Sequence, residues 1–241
     1  MLLVVTVSDS TLVEPDLALQ DGTMKISRYG HACIRVDVAG QRILIDPGVF
    51  SSPDAFSQSD LDVIVVTHQH LDHADLDRIP ALLERNPDAL LLAESAIAER
   101  LNELGRKWTP TAPGQKHQLI DITITGIGGH HAVILPELER VGNVGILIGA
   151  PSEPTIFHPG DSYGYSPDGV DVLALPLSAP WAKSSETIAF CKAVAPRMVF
   201  PIHDATLSKA GHGLYWDHVV KFGGIEDARL VPTGGTTEVD Q

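Results

Sequence analysis

The chain has 241 residues, 44% of them hydrophobic, enough to bury a substantial core in one compact domain. Seventeen Lys plus Arg stand against 31 Asp plus Glu, a formal charge of −14, so the overall field repels phosphate backbones and argues against nucleic acid as a partner. Cys33 and Cys191 lie far apart with no CxxC spacing, which leaves neither a disulfide framework nor a thiolate metal knuckle and fits a reducing cytoplasm.

The opening MLLVVTV is apolar but lacks a positively charged start and is too short to span a bilayer. No later run approaches about 18 apolar residues, so a soluble protein with no membrane partner is expected. Residues 1–23 have little periodicity and read as a dispensable leader, with Met24 a candidate initiator and 24–241 a single domain. CIRVDVAGQRILIDPG alternates apolar and polar residues about Ala39-Gly40, a β-hairpin closed by a Pro-Gly turn. LDVIVV (61–66) reads as a strand buried on both faces, and ADLDRIPALLERNP carries helical spacing at Leu76, Ile79, Leu82 and Leu83. ALLLA is a short strand, and SAIAERLNELG a helix running from a Ser95 cap to a Gly105 stop. HQLIDITITGI, VGILI and PTIFH add strands. DVLALPL (171–177) is a strand, SSETIAFCKAVAP a capped helix, RMVFPIH a strand, and Leu207 to Phe222 a helix. This order predicts an α/β or α+β sheet protein whose polar residues gather where strands end.

The stretch DVIVVTHQHLDHADL (62–76) sets His68, His70, Asp72 and His73 on the strand-to-helix loop. Imidazole and carboxylate bind metals at neutral pH without thiols, and such a loop can turn His68 and His70 toward one ion while Asp72 and His73 face a neighbour. A merely solvated loop has no need of four specified residues at fixed offsets behind a buried strand. This H-x-H-x-D-H pattern resembles the signature of the metallo-β-lactamase superfamily.

Later pieces follow in that family's order. HPGDS offers Asp161, although a Pro-Gly-Asp turn alone is an ordinary local structure. VFPIH ends in His203, and GIGGHHAV offers His130 or His131. Strand alternation cannot choose between those two, because Gly126, Gly128 and Gly129 invite a register-shifting bulge. The resemblance points to His131, since relatives place their ligand directly before a short A-V-I segment. YGHAC, ILIDPG, HPGDS and PIHDA are most similar to the branch containing the ascorbate-6-phosphate lactonase type.

The resemblance implies a four-layer αβ/βα sandwich with the metals where loops meet at one edge. His68, His70 and His131 would hold a first metal, Asp72, His73 and His203 a second, and Asp161 would bridge. It implies a binuclear metal-dependent hydrolase in which a metal-bridging hydroxide, oriented by Asp72 as the catalytic residue, attacks a small ester, lactone or phosphoester. Two divalent ions are expected, zinc by default, with manganese and iron also suited to nitrogen and oxygen ligands. Asp46 is placed to accept a ring N–H from a ligating histidine. His31 lies near the metal edge in relatives, as an outer partner or pocket residue.

His158 reads as a buried hydrogen-bonded residue, and His117, His212 and His218 as surface or packing residues. Trp181 and Lys183 could border the pocket, but a Trp after Pro ordinarily packs. The expected partner is a small-molecule substrate, with homo-oligomerisation left open. The alternatives are an iron-dependent oxygenase or oxidoreductase on the same fold, and a non-enzymatic metal-binding protein, because one fold hosts many chemistries.

Overall fold

Aliphatic and β-branched residues dominate the short apolar runs, and these become strands. In the computed structural model, which describes residues 22–241, the chain begins with β1 (Thr23–Gly30), β2 (Cys33–Val38), β3 (Gln41–Ile45), α1 (Pro53–Phe56), β4 (Val63–Val66), α2 (Ile79–Arg85), β5 (Leu90–Glu94), α3 (Ser95–Asn102) and β6 (Thr109–Thr111). It continues through β7 (Lys116–Leu119), β8 (Ile122–Ile127), β9 (Gly145–Gly149), β10 (Ile156–His158), β11 (Val172–Pro176), α4 (Ser184–Val194), β12 (Met198–Ile202), α5 (Lys209–Phe222), β13 (Asp227–Ala228) and β14 (Thr236–Asp240). Up to residue 21, the expected leader lies outside the described residues.

The strands form two seven-stranded sheets, ordered β14-β1-β2-β3-β4-β5-β6 and β13-β12-β11-β10-β9-β8-β7. Both have the same internal plan. The pairings from β14 to β3, and from β7 to β10, are antiparallel, while those from β3 to β6 and from β10 to β13 are parallel. Parallel neighbours need crossover connections, and here helices supply most of them. Strand β4 shows how the layers arise. Val63 and Val65 face a core shared with Ile124, Ile148 and Phe200 of the other sheet, whereas Ile64 and Val66 pack with Ile79, Leu82 and Ile97 of α2 and α3. A third cluster joins Leu173 and Leu175 to Phe190 and Trp216 of α4 and α5. The result is the helix–sheet–sheet–helix sandwich of the metallo-β-lactamase fold. Among the described residues no helix is long and apolar enough to cross a membrane.

Several local expectations change. The expected hairpin turns through Ala39 (φ 47°) and Gly40 (φ 71°), the left-handed pair that a two-residue hairpin favours. Helix α2 starts only at Ile79, because Asp75 Oδ1 accepts from the backbone N–H groups of Asp77 and Arg78 and holds a turn there. Glu94, not Ser95, caps α3, accepting from the N–H groups of Ala96 and Ile97. Helix α4 has no side-chain cap at Lys183, so its serines lie inside the helix rather than before it. HQLIDITITGI divides into the hairpin β7–β8, turning at Ile120 with φ 47°.

Candidate metal centre

Segments following β3, β4, β8, β10 and β12 bring Asp46, residues 67–73, His131, Asp161 and His203 to one edge of the sandwich, where open α/β sheets commonly bind ligands. Asp46, like Thr67, His68 and His73, is fully buried. Its carboxylate accepts from the Thr67 N–H at 2.8 Å, the Thr67 hydroxyl at 2.7 Å and His73 Nδ1 at 2.6 Å. With its own proton given to Asp46, the Thr67 oxygen is left to accept from His68 Nδ1 at 3.0 Å. His131 Nδ1 donates to the Ala132 carbonyl at 2.6 Å and His203 Nδ1 to the Ser178 carbonyl at 2.7 Å. Each of these four rings thereby commits Nδ1–H to an outer partner and turns toward the centre an Nε2 whose lone pair becomes available to a metal once any second proton on the ring is released, the arrangement that outer partners impose on metal-binding histidines.

Those lone pairs converge. His73 Nε2 lies 3.1 Å from Asp161 Oδ1, while His203 Nε2 and His131 Nε2 lie 3.1 and 3.3 Å from Asp161 Oδ2. Yet the Nε2 atoms of His73, His131 and His203, together with Asp161 Oδ1, are buried without a hydrogen-bond partner. Lone pairs crowded around a buried carboxylate carry a cost that a cation removes, so the residues present fit a divalent metal. The donors fall into two sets, each with ligand atoms within 4.8 Å of one another: His68, His70, His131 and Asp161 in one, and His31, Asp72, His73 and His203 in the other.

His31 differs from its companions. Its Nδ1 accepts from the Ala205 N–H at 3.3 Å, so the neutral ring carries its proton on Nε2 and donates it to Asp72 Oδ2 at 3.1 Å. Burial pushes the His31 pKa down, which keeps the ring neutral. This tautomer has no lone pair to offer a metal, and His31 acts on the cluster by orienting Asp72. His31 (φ 50°), Asp46 (φ 52°) and His203 (φ 55°) all adopt left-handed backbone, a costly conformation for residues with a Cβ that tends to gather at functional sites.

Charge divides the two sets. Burial, aided by neighbouring imidazoles, pushes His68 and His70 below the ordinary histidine range. Burial opposes charge on His73 and His203 too, but Asp161 together with Asp46 raises His73, and Asp161 with Asp72 lifts His203 to about 9. Against the opposing effect of burial, the histidines hold the Asp161 and Asp72 carboxyls below their usual range. Without metal, protons occupy part of this cation site, and metal binding must release them.

Two glycines permit this packing. A Cβ on Gly48 would lie 1.8 Å from the Asp72 carbonyl oxygen, and one on Gly160 (φ 60°) 2.3 Å from Asn143 Oδ1. Asn143 ties the loop around Asp161, accepting the Asp161 N–H at 2.9 Å and donating to the Pro159 carbonyl at 2.9 Å.

The structure thus gathers all seven residues named as ligands. It buries His131 and leaves His130 exposed. His158 donates Nε2–H to the Ala32 carbonyl at 2.9 Å and supports the turn before Asp161 by accepting the Gly160 N–H at 3.2 Å. His117, His212 and His218 lie outside both sets, next to Thr111, Asp204 and Phe222 respectively. Sequence reasoning passed over Thr67 and Asn143 and set Trp181 aside as packing, whereas its indole N–H donates to Asp161 Oδ2 at 3.0 Å. The available signal was strand position: β10 and β11 are parallel neighbours, so the segments after them emerge at the same edge.

Residues 25–203 match the family model described as the β-lactamase superfamily domain. The chain is 38% identical over 200 residues to protein Rv0786c of Mycobacterium tuberculosis, covering 82% of this chain and 92% of that one. It is 28% identical to a protein of Lysinibacillus sphaericus named UPF0173 metal-dependent hydrolase, over 75% of this chain and 85% of the relative. Igni18, described as a novel metallo hydrolase from Ignicoccus hospitalis, superposes with a TM-score of 0.70 at 19% identity, covering 91% of this chain and 99% of that one. With its two-sheet sandwich and its run of metal-competent side chains at one edge, the chain belongs to the metallo-β-lactamase superfamily.

Proposed function

We propose that this protein is a metal-dependent hydrolase that holds two divalent ions and acts on a small ester, lactone or phosphoester. The observation that carries the reading is the common orientation of His68, His73, His131 and His203, each with Nδ1–H bound outward and Nε2 turned toward the centre. His68, His70 and His131 would hold one ion and Asp72, His73 and His203 the other. Asp161, whose oxygens approach histidines of both sets, would link them. When bound, such a pair of ions lowers the pKa of a shared water and polarises a carbonyl or phosphoryl oxygen. Zinc is the default for this donor set, and manganese and iron suit it too.

The chain's own residues supply the rest. Asp72, kept ionised by His203 and His31, is the least buried of the carboxylates at the centre and orients the attacking water through a carboxylate oxygen. Trp181 and the buried Asp46 network fix Asp161 and His73, so little reorganisation is needed during the reaction. Elemental analysis of protein purified without chelator, followed by a panel of lactones, phosphodiesters and β-lactams with zinc, manganese or iron restored, tests the proposal. Near two ions per chain and turnover of at least one class are expected. Metal content that never exceeds traces would sink it, and iron-dependent oxygen consumption without hydrolysis would move the protein to another reaction class.

A further inference from the structure

A cleft of about 730 Å³ opens beside the metal centre, a volume suited to a small organic molecule. It borders the centre at Ala132, Ser162 and Trp181, which are the chain neighbours of His131 and Asp161 and the residue that donates to Asp161. One wall is aromatic. The Trp181 and Tyr163 rings meet edge to face at 4.8 Å, and Tyr163 stacks on Phe190 at 4.9 Å. The polar atoms of that wall are already committed, the Tyr163 hydroxyl donating to the Pro176 carbonyl and the Trp181 N–H to Asp161, so what the half-buried Tyr163 and the largely buried Trp181 and Phe190 expose to the cleft is mainly apolar. Val133 and Ile134 extend it.

The cations of the cleft are Arg140 and Lys183. Lys183 Nζ lies 3.7 Å from Glu186 Oε1, which offsets its charge locally. Arg140 is bound only through Nε, which donates to the backbone carbonyl of His131. Among the described residues neither of its terminal nitrogens has a hydrogen-bond or ion-pair partner. A planar fork tethered by its base to a candidate ligand's backbone is suited to receiving an anionic group beside the reacting centre.

We infer that this cleft selects a small amphiphilic anion: a hydrolysable molecule whose carboxylate or phosphate docks on Arg140 while an aryl or alkyl body lies against Trp181, Tyr163 and Phe190. The inference rests on the hydrolase reading for its chemistry, but not for the binding itself. It also separates this protein from sugar-acid substrates, whose hydroxyls would be left unpaired against such a wall.

The test uses zinc-loaded protein and titration calorimetry with 4-phenylbutyrate, its neutral amide, 2-phenylethyl phosphate and gluconate. One of the two aryl anions is expected to bind at least about tenfold tighter than the neutral amide, a typical increment for a charge-assisted contact, and whichever does so identifies the anionic group. Gluconate should bind more weakly than that anion. Arg140→Met should remove the preference, and Arg140→Lys, which keeps the charge but not the fork, should retain part of it. Equal binding of charged and neutral probes, tighter binding of gluconate, or a preference that survives in Arg140→Met with its zinc intact would overturn the assignment, the last by placing the anion on the metals. A turnover arm compares mono-4-nitrophenyl glutarate with 4-nitrophenyl butyrate. Arg140-dependent binding with no turnover of any ester would defeat the hydrolase reading and leave the cleft standing. Equal turnover of the two esters in wild type would defeat the cleft assignment and leave the hydrolase standing.

Discussion

The two ligand sets share a fold edge and the Asp161 carboxylate, yet they push two pairs of histidines in opposite directions, His68 and His70 down and His73 and His203 up. His68 and His70 sit among imidazoles with Asp161 as the nearest acid, and burial keeps them neutral. His73 and His203 sit among Asp46, Asp72 and Asp161, and those acids hold a proton on them. Similar ligand geometry therefore does not mean similar readiness. On the two-ion reading proposed above, the first set would accept an ion directly, whereas the second would exchange protons for it.

Removing Asp161 should erase the difference by disabling both sets. Asp161→Ala is expected to lower metal content from near two ions per chain to below one, and to cut hydrolysis by about 10²-fold or more, since loss of an outer partner alone costs about 10–100-fold. Two tightly held ions in that variant would show that the carboxylate links nothing. Asp46→Asn should act unevenly: chelator competition should find the second ion held about 10–100-fold more weakly, with a smaller loss at the first through the Thr67–His68 bond. Equal losses at both would remove the distinction between the sets.

Acidity sharpens the comparison further. A metal at the second set would displace protons from both His73 and His203, so affinity there should rise with pH, by up to about tenfold per unit for each proton released, with the His203 contribution levelling off near 9. The first set, whose His68 and His70 lie below the ordinary range, should change little over the same interval. Zinc competition titrations between pH 6 and 9 read both slopes, and identical slopes would contradict the assignment. His31→Gln should give a smaller effect: both ions retained, with kcat reduced about tenfold, the order expected when a group that positions a catalytic acid or base is disturbed. Loss of an ion would instead make His31 a ligand and refute its tautomer. Smallest of all, a chain starting at Met24 should keep both ions and melt within a few degrees of the 241-residue chain, roughly the effect of 1 kcal/mol in a domain this size. Since β1 already begins at Thr23, paired with Asp240, a larger fall would show that its loss, or that of the preceding residues, matters to the fold.

The sequence made the metal loop legible because His68, His70, Asp72 and His73 are packed into six positions behind one apolar run. Asp161 and His203 carry no such local signal and gained meaning only in combination with it. Thr67, Asn143 and Trp181 were missed for one physical reason: each acts through partners set by tertiary packing, with Asn143 reaching Asp161 across 18 residues and Trp181 across 20. Periodicity found β4 and β5, whose residues are buried on both faces, but gave no warning that Asp75 would delay α2 or that Glu94 would cap α3. Such side-chain-to-backbone bonds compete locally with regular structure and leave no periodic trace.

The left-handed backbone at His31, Asp46 and His203 bears on how the protein can change. Each such residue costs on the order of 1–2 kcal/mol relative to an unstrained one, and glycine would relieve it at any of the three. At Asp46 that relief is outweighed, because its carboxylate accepts three buried hydrogen bonds that glycine would leave unpaired, whereas His31 and His203 carry fewer such bonds. A library screened by melting temperature alone is expected to keep Asp46 while admitting glycine or asparagine at His31 or His203 at the expense of metal, so improvement of this scaffold has to be selected on stability and ion retention together.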